Sequence, residues 1–297
     1  MKRVVGLGAC VLDTLIRCNT YPREDTKQRA GGIDVSGGGP VGNALVVMSK
    51  LGINAEVIGA FASDDAGKYL IKEFEEYGVG TAHATILDNQ TSFTSYIILA
   101  ENTSSRTCIF DRGTVPDCIE NVALAAIDGA DVLHIDGNYL ESAIAAAEYA
   151  RAHGVKVSLD AGGLYEGIER LLPLVNILIP SAEFACGYTA KEDIAAAMQE
   201  LAKRYSPEVL VVTDGANGGY YWDGEPVKYD SFKVKAIDTN GAGDTFHGAF
   251  IAAYLNKKPL SECCRFASAV AAYKCKFTGA KKYPLNAELA DNLQKLL

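Results

Sequence analysis

Apolar residues fall along this chain in short runs, and the spacing between the runs decides which elements to expect. The run at 3–9 reads as a buried strand, and 12–17 continues it as an extended segment with Asp13 just past the strand end. A polar, turn-rich stretch at 21–32 reads as a flap. Pro40 suits the first helical position after the glycine-rich turn at 36–39. Ala44, Leu45, Val47, Met48 and Leu51 give that helix its apolar face, and Gly52 ends it. Residues 56–61 read as a strand, and a turn at 64–67 leads into a helix over 68–77 with Gly78 as its stop. Two β-rich runs, 94–99 and 107–110, flank the polar turn 101–105, which is a hairpin signal.

Beyond residue 131 the pattern alternates. Strands at 132–135, 155–159, 175–179 and 209–212 are separated by helical segments at 141–152, 165–172 and 190–205, which predicts βαβ units and a parallel sheet. A glycine-rich turn at 213–219 precedes Tyr220, Tyr221 and Trp222, with a hairpin tip at Asp223 and Gly224. Residues 233–237 lead into a last polar turn, after which Phe246, Phe250, Ala253 and Tyr254 share one helical face. Residues 267–273 read as a helix as well.

A hydrophobic content of 48% in 297 residues is enough for a full core, in one large α/β domain or in two. No internal repeat, low-complexity tract or linker breaks the pattern. The formal net charge of -9 argues against a nucleic-acid or anionic-membrane surface, and no run approaches the length of a membrane span. The 8 cysteines contain no Cys-x-x-Cys pair and no histidine-rich partner, which speaks against zinc and for free, mostly buried thiols in a reduced cytoplasm. Lys2 and Arg3 ahead of the run ending at Cys10 look superficially like a lipoprotein leader. The apolar part is too short and Asp13 follows at once, so a first strand is expected instead.

Two stretches carry chemistry. At 238–246, Asp-Thr-Asn-Gly-Ala-Gly-Asp-Thr-Phe, the small residues Gly241, Ala242 and Gly243 leave N–H groups at a helix start free to face a bound anion. Asp244, in the first turn, can take a proton from an attacking hydroxyl while those N–H groups hold the charge developing on a phosphoryl group. The bland alternative is an N-capped helix with acidic residues in its first turn. At 36–45, Gly38 and Gly39 permit close approach of backbone to a ligand, and Asn43 offers a donor and an acceptor to a polyol. A plain loop-to-helix junction is the alternative there. Gly6-x-Gly8 has Val11 where a third glycine belongs, and Gly67-Lys68 is followed by Tyr69, so neither a dinucleotide fingerprint nor a Walker sequence is present. His83, His134, His153 and His247 share no spacing and receive no catalytic role, although His247 lies one turn beyond Asp244.

The ordered string Asp-Thr-x-Gly-Ala-Gly-Asp-Thr-Phe resembles the second signature of the ribokinase-like carbohydrate kinases, also called the phosphofructokinase-B family. Gly-Gly-x-x-x-Asn, ending at Asn43, resembles the first. The resemblance runs nearly the whole chain and implies one three-layer α/β/α domain over 1–297. Its central sheet would be mostly parallel, with a small β lid formed by about 12–35 and 91–112. It implies Asp244 as the base and the Gly241–Gly243 amides as the anion hole, with Asp13, Gly38, Gly39 and Asn43 on the sugar hydroxyls. Pro40 and Val41 depart from the Lys-Gly pair of ribokinase proper, so ribose is not implied.

The segment at 213–220 resembles the family's Thr-x-Gly-x-x-Gly nucleotide segment, which places Thr213, Gly215 and Gly218 near the phosphates and ribose of ATP. Residues 277–280 resemble its terminal Gly-Ala loop, where Gly279 and Ala280 would close the adenine pocket and, with the Asp238 loop, help hold potassium. The family's Pro-Asn-x-x-Glu, tied to magnesium and phosphate, is altered here. Ser181 replaces the asparagine, Glu183 comes one place early, and Phe184 fills the glutamate position. Glu183 is the metal candidate, with magnesium held mainly through nucleotide phosphates and waters. Arg106 and Arg112 flank the second hairpin strand and either reach an anionic substrate or stay solvated edge charges.

The activity implied is ATP-dependent transfer of a phosphoryl group to a hydroxyl of a sugar or sugar-like molecule. A nucleoside kinase of the same fold is the nearer alternative, and a non-catalytic sugar- or nucleotide-sensing protein the farther one. A homodimer through the lid is a family-level expectation.

Overall fold

Strands built from Val, Ile and Leu on both faces need cover on both sides, and the chain supplies it with helices. The computed structural model describes residues 2–103 and 105–296. In chain order the first half runs β1 (Arg3–Leu7), β2 (Val11–Cys18), β3 (Gly32–Gly38), α1 (Pro40–Lys50), β4 (Asn54–Val57), β5 (Gly59–Ala62), α2 (Asp65–Glu76), β6 (Ala84–Leu87), β7 (Thr94–Ala100) and β8 (Ser105–Asp111). The second half runs β9 (Val132–Ile135), α3 (Leu140–Ala152), β10 (Lys156–Ala161), β11 (Ile177–Pro180), α4 (Ala182–Thr189), α5 (Ile194–Tyr205) and β12 (Val209–Thr213). It closes with β13 (Gly219–Trp222), β14 (Pro226–Tyr229), α6 (Ala242–Leu255), α7 (Leu260–Lys274) and α8 (Ala287–Leu296).

The main sheet has 8 strands in the order β14-β13-β12-β11-β10-β9-β1-β4. Pairing is parallel from β12 across to β4 and antiparallel only at the terminal β13–β14 hairpin. Alternate side chains go to opposite faces. Val4, Val132, Ile177 and Val209 join the core under α1, α6 and α7, while Val5, Leu133, Leu178 and Leu210 join the core under α3 and α5. The result is the three-layer α/β/α architecture expected from the alternation. The C-terminal strand ends and the helix starts beyond them face one side, where ligands of such sheets bind.

A second, 4-stranded sheet in the order β3-β2-β7-β8 forms the lid, as expected. Ser104, in the turn joining β7 to β8, lies outside the described residues. Asp13 is not past a strand end but within β2, with Ser36 and Ser95 opposite it.

Several expectations are corrected. The apolar run at 56–61 is two strands, β4 in the main sheet and β5 paired with β6 in a separate ladder. Pro173 keeps 165–172 from becoming an α-helix, and only single 3-10 turns at Ile168–Arg170 and Leu172–Leu174 form. The helix expected at 190–205 is α5, which starts only at Ile194, and a separate helix, α4, precedes it. The Ser181 hydroxyl accepts the Phe184 N–H at 3.0 Å and starts α4, while Asp193 caps α5 through the Ala196 N–H at 2.9 Å. The helix expected at 267–273 is the end of the longer α7, and α8 carried no sequence expectation at all.

Candidate active site

The start of α6 is shaped by two turns that meet there. Gly241 caps the helix at φ 73°, and a Cβ at that position would lie 2.6 Å from the Ala280 Cβ, so only glycine lets the terminal loop pack this close. The Ala242 N–H closes its own turn onto the Thr239 carbonyl at 3.2 Å, which removes it from the expected anion hole. Among the described residues no protein acceptor takes the N–H groups of Gly241, Gly243 and Asp244. Gly243 is exposed. The open N–H groups are therefore those of Gly241, Gly243 and Asp244: Ala242 leaves the expected set and Asp244 joins it.

Asn43, buried in the first turn of α1, donates its side-chain amide to Asp244 Oδ2 at 2.6 Å. Its own Oδ1 is buried and has no partner among the described residues, so it is an acceptor waiting for a donor. Gly39 is the residue that caps α1. Asp13 lies close by. The Ser95 hydroxyl donates to its Oδ1 at 2.6 Å, and a Cβ on Gly38 would sit 2.0 Å from its Oδ2. Two glycine turns widely separated in sequence thus bring Asp13, Asn43 and Asp244 into one wall. Burial pushes the Asp13 carboxyl above its ordinary range, partly opposed by the Ser95 hydrogen bond.

Asp244 is tuned by its surroundings. Burial and then the nearby Asp160 carboxylate push its carboxyl up to about 6, while the Asn43 hydrogen bond and His247 pull the other way. Asp160, at the end of β10, lies 3.2 Å from His247 Nε2, and both side chains are buried. Burial alone would raise Asp160, yet the His247 imidazole holds it below the ordinary aspartate value. Sequence reasoning gave His247 no role, and Asp160 follows the expected strand 155–159 without a motif of its own. No motif links the two, and only the fold makes them partners.

Beside the open amides lies a cavity of about 430 Å³. Thr213, Gly215 and Gly218 line it as expected, together with Ala242, Gly243, Phe246, Val234 and Ala271. Gly279 and Ala280 do not. The Gly279 N–H donates to Asp238 Oδ2 at 2.8 Å and Ala280 backs Gly241, so this loop braces the anion cup rather than closing the cavity.

Arg106 is exposed on β8, yet its Nη1 reaches the Asn240 side-chain oxygen at 3.3 Å, placing the lid's guanidinium over the turn that precedes α6. Arg112 donates to Asn138 Oδ1 at 3.1 Å and lies over the Phe93 ring at 5.9 Å. A second cavity, about 530 Å³, opens there between Phe93, Arg112, Tyr139 and Tyr165.

The two metal candidates fare differently from expectation. Glu183 is exposed on the first turn of α4, and among the described residues no group of three or more His, Cys, Asp or Glu could hold a metal. Asp238 is buried with both carboxylate oxygens taken, Oδ1 by the Asn240 N–H and Oδ2 by the Gly279 N–H, each at 2.8 Å. Its carbonyl accepts Lys274 Nζ, also at 2.8 Å. With the Lys274 ammonium already on that carbonyl, the loop does not fit an added potassium ion.

Known proteins share this architecture. A family model described as pfkB family carbohydrate kinase matches residues 1–286. The chain is similar to the ribokinase of Haemophilus influenzae, 27% identical over 292 residues that span 94% of each chain. It is also similar to a nucleoside kinase of Methanothermobacter thermautotrophicus, 24% identical over 92% of this chain and 89% of the relative. Among solved structures, Arabidopsis thaliana ribokinase complexed with ribose and ATP superposes with a TM-score of 0.85 at 23% identity, covering 99% of this chain and 98% of that one.

Proposed function

The chain belongs to the pfkB family of carbohydrate kinases, phosphotransferases with hydroxyl acceptors, and we propose from that premise that it moves the terminal phosphoryl group of ATP onto a hydroxyl of a sugar or sugar-like molecule. The observation that carries this reading is the 2.6 Å bond from Asn43 to Asp244, which joins a polyol-binding turn to a base. An acceptor held by Asp13 and by the unpartnered Asn43 oxygen presents its hydroxyl to Asp244. The carboxylate takes the proton as the oxygen attacks, and the N–H groups of Gly243 and Asp244 hold the charge on the transferring group. Arg106 adds positive charge from the lid side.

The nucleotide fits the 430 Å³ cavity beside those amides, between the glycines of the 213–219 turn and the wall of α7. ATP bound by a plant ribokinase of the same fold supports ATP as the donor. Magnesium carried on the triphosphate would supply charge neutralisation, held through the nucleotide and not by a protein cage.

A nucleoside acceptor is the second reading, favoured by one feature. The 530 Å³ cavity lined by Phe93, Tyr139 and Tyr165 offers flat apolar walls to a planar substituent on the sugar. A non-catalytic sensor has no use for a carboxylate raised to about 6 beside open amides. Ile33, Val35, Tyr96 and Ile109 are exposed on the lid, and their cross-strand register puts them on its outer face, which supports pairing of two lids in a homodimer. The free cysteines support a reducing compartment such as the cytoplasm.

ADP release across a panel of sugars, sugar phosphates and nucleosides separates the readings. Asp244→Asn is expected to bind the accepted substrate with near-normal affinity and to lose about 10³-fold or more of turnover. Near-normal turnover in that variant would remove Asp244 from the mechanism.

A further inference from the structure

The misfit at the Asp238 loop has a positive side, because the position expected to hold a monovalent cation already holds one that belongs to the chain. Lys274 is the last residue of α7, and its side chain is fully buried at 0% exposure. Its ammonium has no carboxylate partner among the described residues; its hydrogen bond goes to the Asp238 carbonyl at 2.8 Å. A buried charge in that setting is unfavourable unless the surroundings are built for it. Here they are. The carbonyl end of α7 favours a cation, and Asp238 lies immediately against it.

Adjacent positions complete the clasp. The Cys275 carbonyl accepts the N–H groups of Ile237 and Asp238 at 2.7 and 3.2 Å, and the Gly279 N–H holds Asp238 Oδ2. The residues just before Gly241 are therefore gripped by the end of α7 and the loop that follows, with Lys274 as the buried cation and Arg106 reaching Asn240 from the exposed side. Burial lowers the Lys274 ammonium below the usual lysine range, Asp238, Cys275 and Asp244 pull it back up, and the nearby Arg106 pushes it down again.

We propose that the Lys274 ammonium is the built-in monovalent cation of this protein. Tethered to α7, it fixes the Asp238–Gly241 turn, keeps the Gly243 and Asp244 amides open, and makes added potassium unnecessary. Lys274 is in this sense a positioning residue. Its role in turnover rests on the kinase reading above, whereas its occupancy of the cation position rests on packing alone.

The test has two arms, one of which needs no substrate. Thermal unfolding of the wild-type protein is expected at the same midpoint in potassium chloride and in choline chloride of equal ionic strength. Lys274→Ala, which opens a cation-sized space, is expected to melt about 2 °C or more higher in potassium or ammonium chloride than in choline chloride. Lys274→Met, which fills the space without charge, is expected not to respond. In the second arm, wild-type turnover is the same in both salts. Lys274→Ala falls about tenfold or more in choline chloride and recovers with potassium or ammonium.

A wild-type midpoint or rate that rises with potassium overturns the proposal, as does a Lys274→Ala protein indifferent to the cation. If Lys274→Ala does not fold, the wild-type comparison and Lys274→Met still decide. If no acceptor on the panel is phosphorylated, the melting arm stands by itself and only the kinase reading falls.

Discussion

A carboxylate that must take a proton from an alcohol near neutrality works poorly if it is as acidic as an ordinary aspartate. Asp244 is raised to about 6 by burial and then by Asp160, with Asp13 adding to the rise and Asn43 and His247 opposing it. The base must be unprotonated to act, so kcat/KM is expected to fall as pH drops, with an acid limb centred near 6 in the free enzyme. His247, paired with Asp160 at 3.2 Å, opposes the rise electrostatically. His247→Asn is therefore expected to move that limb to higher pH. A limb that stays put or moves down would take His247 out of the base's environment. None of this coupling was legible in the sequence. Asp244 announced itself through its glycine motif, but His247 and Asp160 carry no signature, and their bond exists only because β10 ends beside the first turns of α6.

At the scale of elements, what could be read and what could not divides along a physical line. Strands of the parallel sheet are apolar on both faces and stand out as runs, so β9 to β12 were recovered to within a few residues. Start and stop residues carried α1, with Pro40 at its head and Gly52 past its end. Short helices without a long apolar period were not legible. The helix α4 hid because its cap, Ser181, falls inside the altered Pro-Asn-x-x-Glu segment, and α8 is an amphipathic stretch without a strong stop signal. Lys274 was lost inside a helical face, since sequence spacing does not distinguish a buried ammonium from a solvated one. The lid was legible as a hairpin, but its two faces were not. One carries Asp13 and Ser95 toward the site, and the other exposes Ile33, Val35, Tyr96 and Ile109. Such a surface on an open sheet invites pairing with a copy of itself. If two lids pair, Ile109→Glu is expected to convert a dimer into a monomer in sedimentation experiments while its melting temperature stays within about 2 °C. A wild-type protein that sediments as a monomer at the same concentrations would end the idea.

Across the whole molecule, the lid and the phosphoryl site must keep register although they are built from opposite ends of the chain. A buried ion pair connects them. Glu73, on α2, holds the Gly37 N–H with both carboxylate oxygens at 3.1 and 3.0 Å, at the base of lid strand β3. The same carboxylate pairs with Lys281 Nζ at 2.9 Å, with side chains 7% and 1% exposed. Lys281 follows Ala280, which backs the Gly241 cap, and Lys50 Nζ donates to the carbonyls of Lys281 and Tyr283 from the end of α1. The lid base and the loop that braces the anion cup thus share one buried ion pair. Removing one partner of a buried pair strands the other charge in a dry site, which costs about 3–5 kcal/mol, whereas removing both is far milder. Lys281→Met is expected to lower unfolding free energy by about 3 kcal/mol or more in urea titrations. The double variant Glu73→Gln/Lys281→Met should recover part of that loss, leaving a clear coupling energy in the cycle. Because Gly37 adjoins the Gly38–Gly39 turn, the single variant should also raise KM for the acceptor more than it lowers kcat. Lys281→Met as stable as the wild type to within about 1 kcal/mol, or additive with Glu73→Gln, would mean that the lid and the site are held together by packing alone.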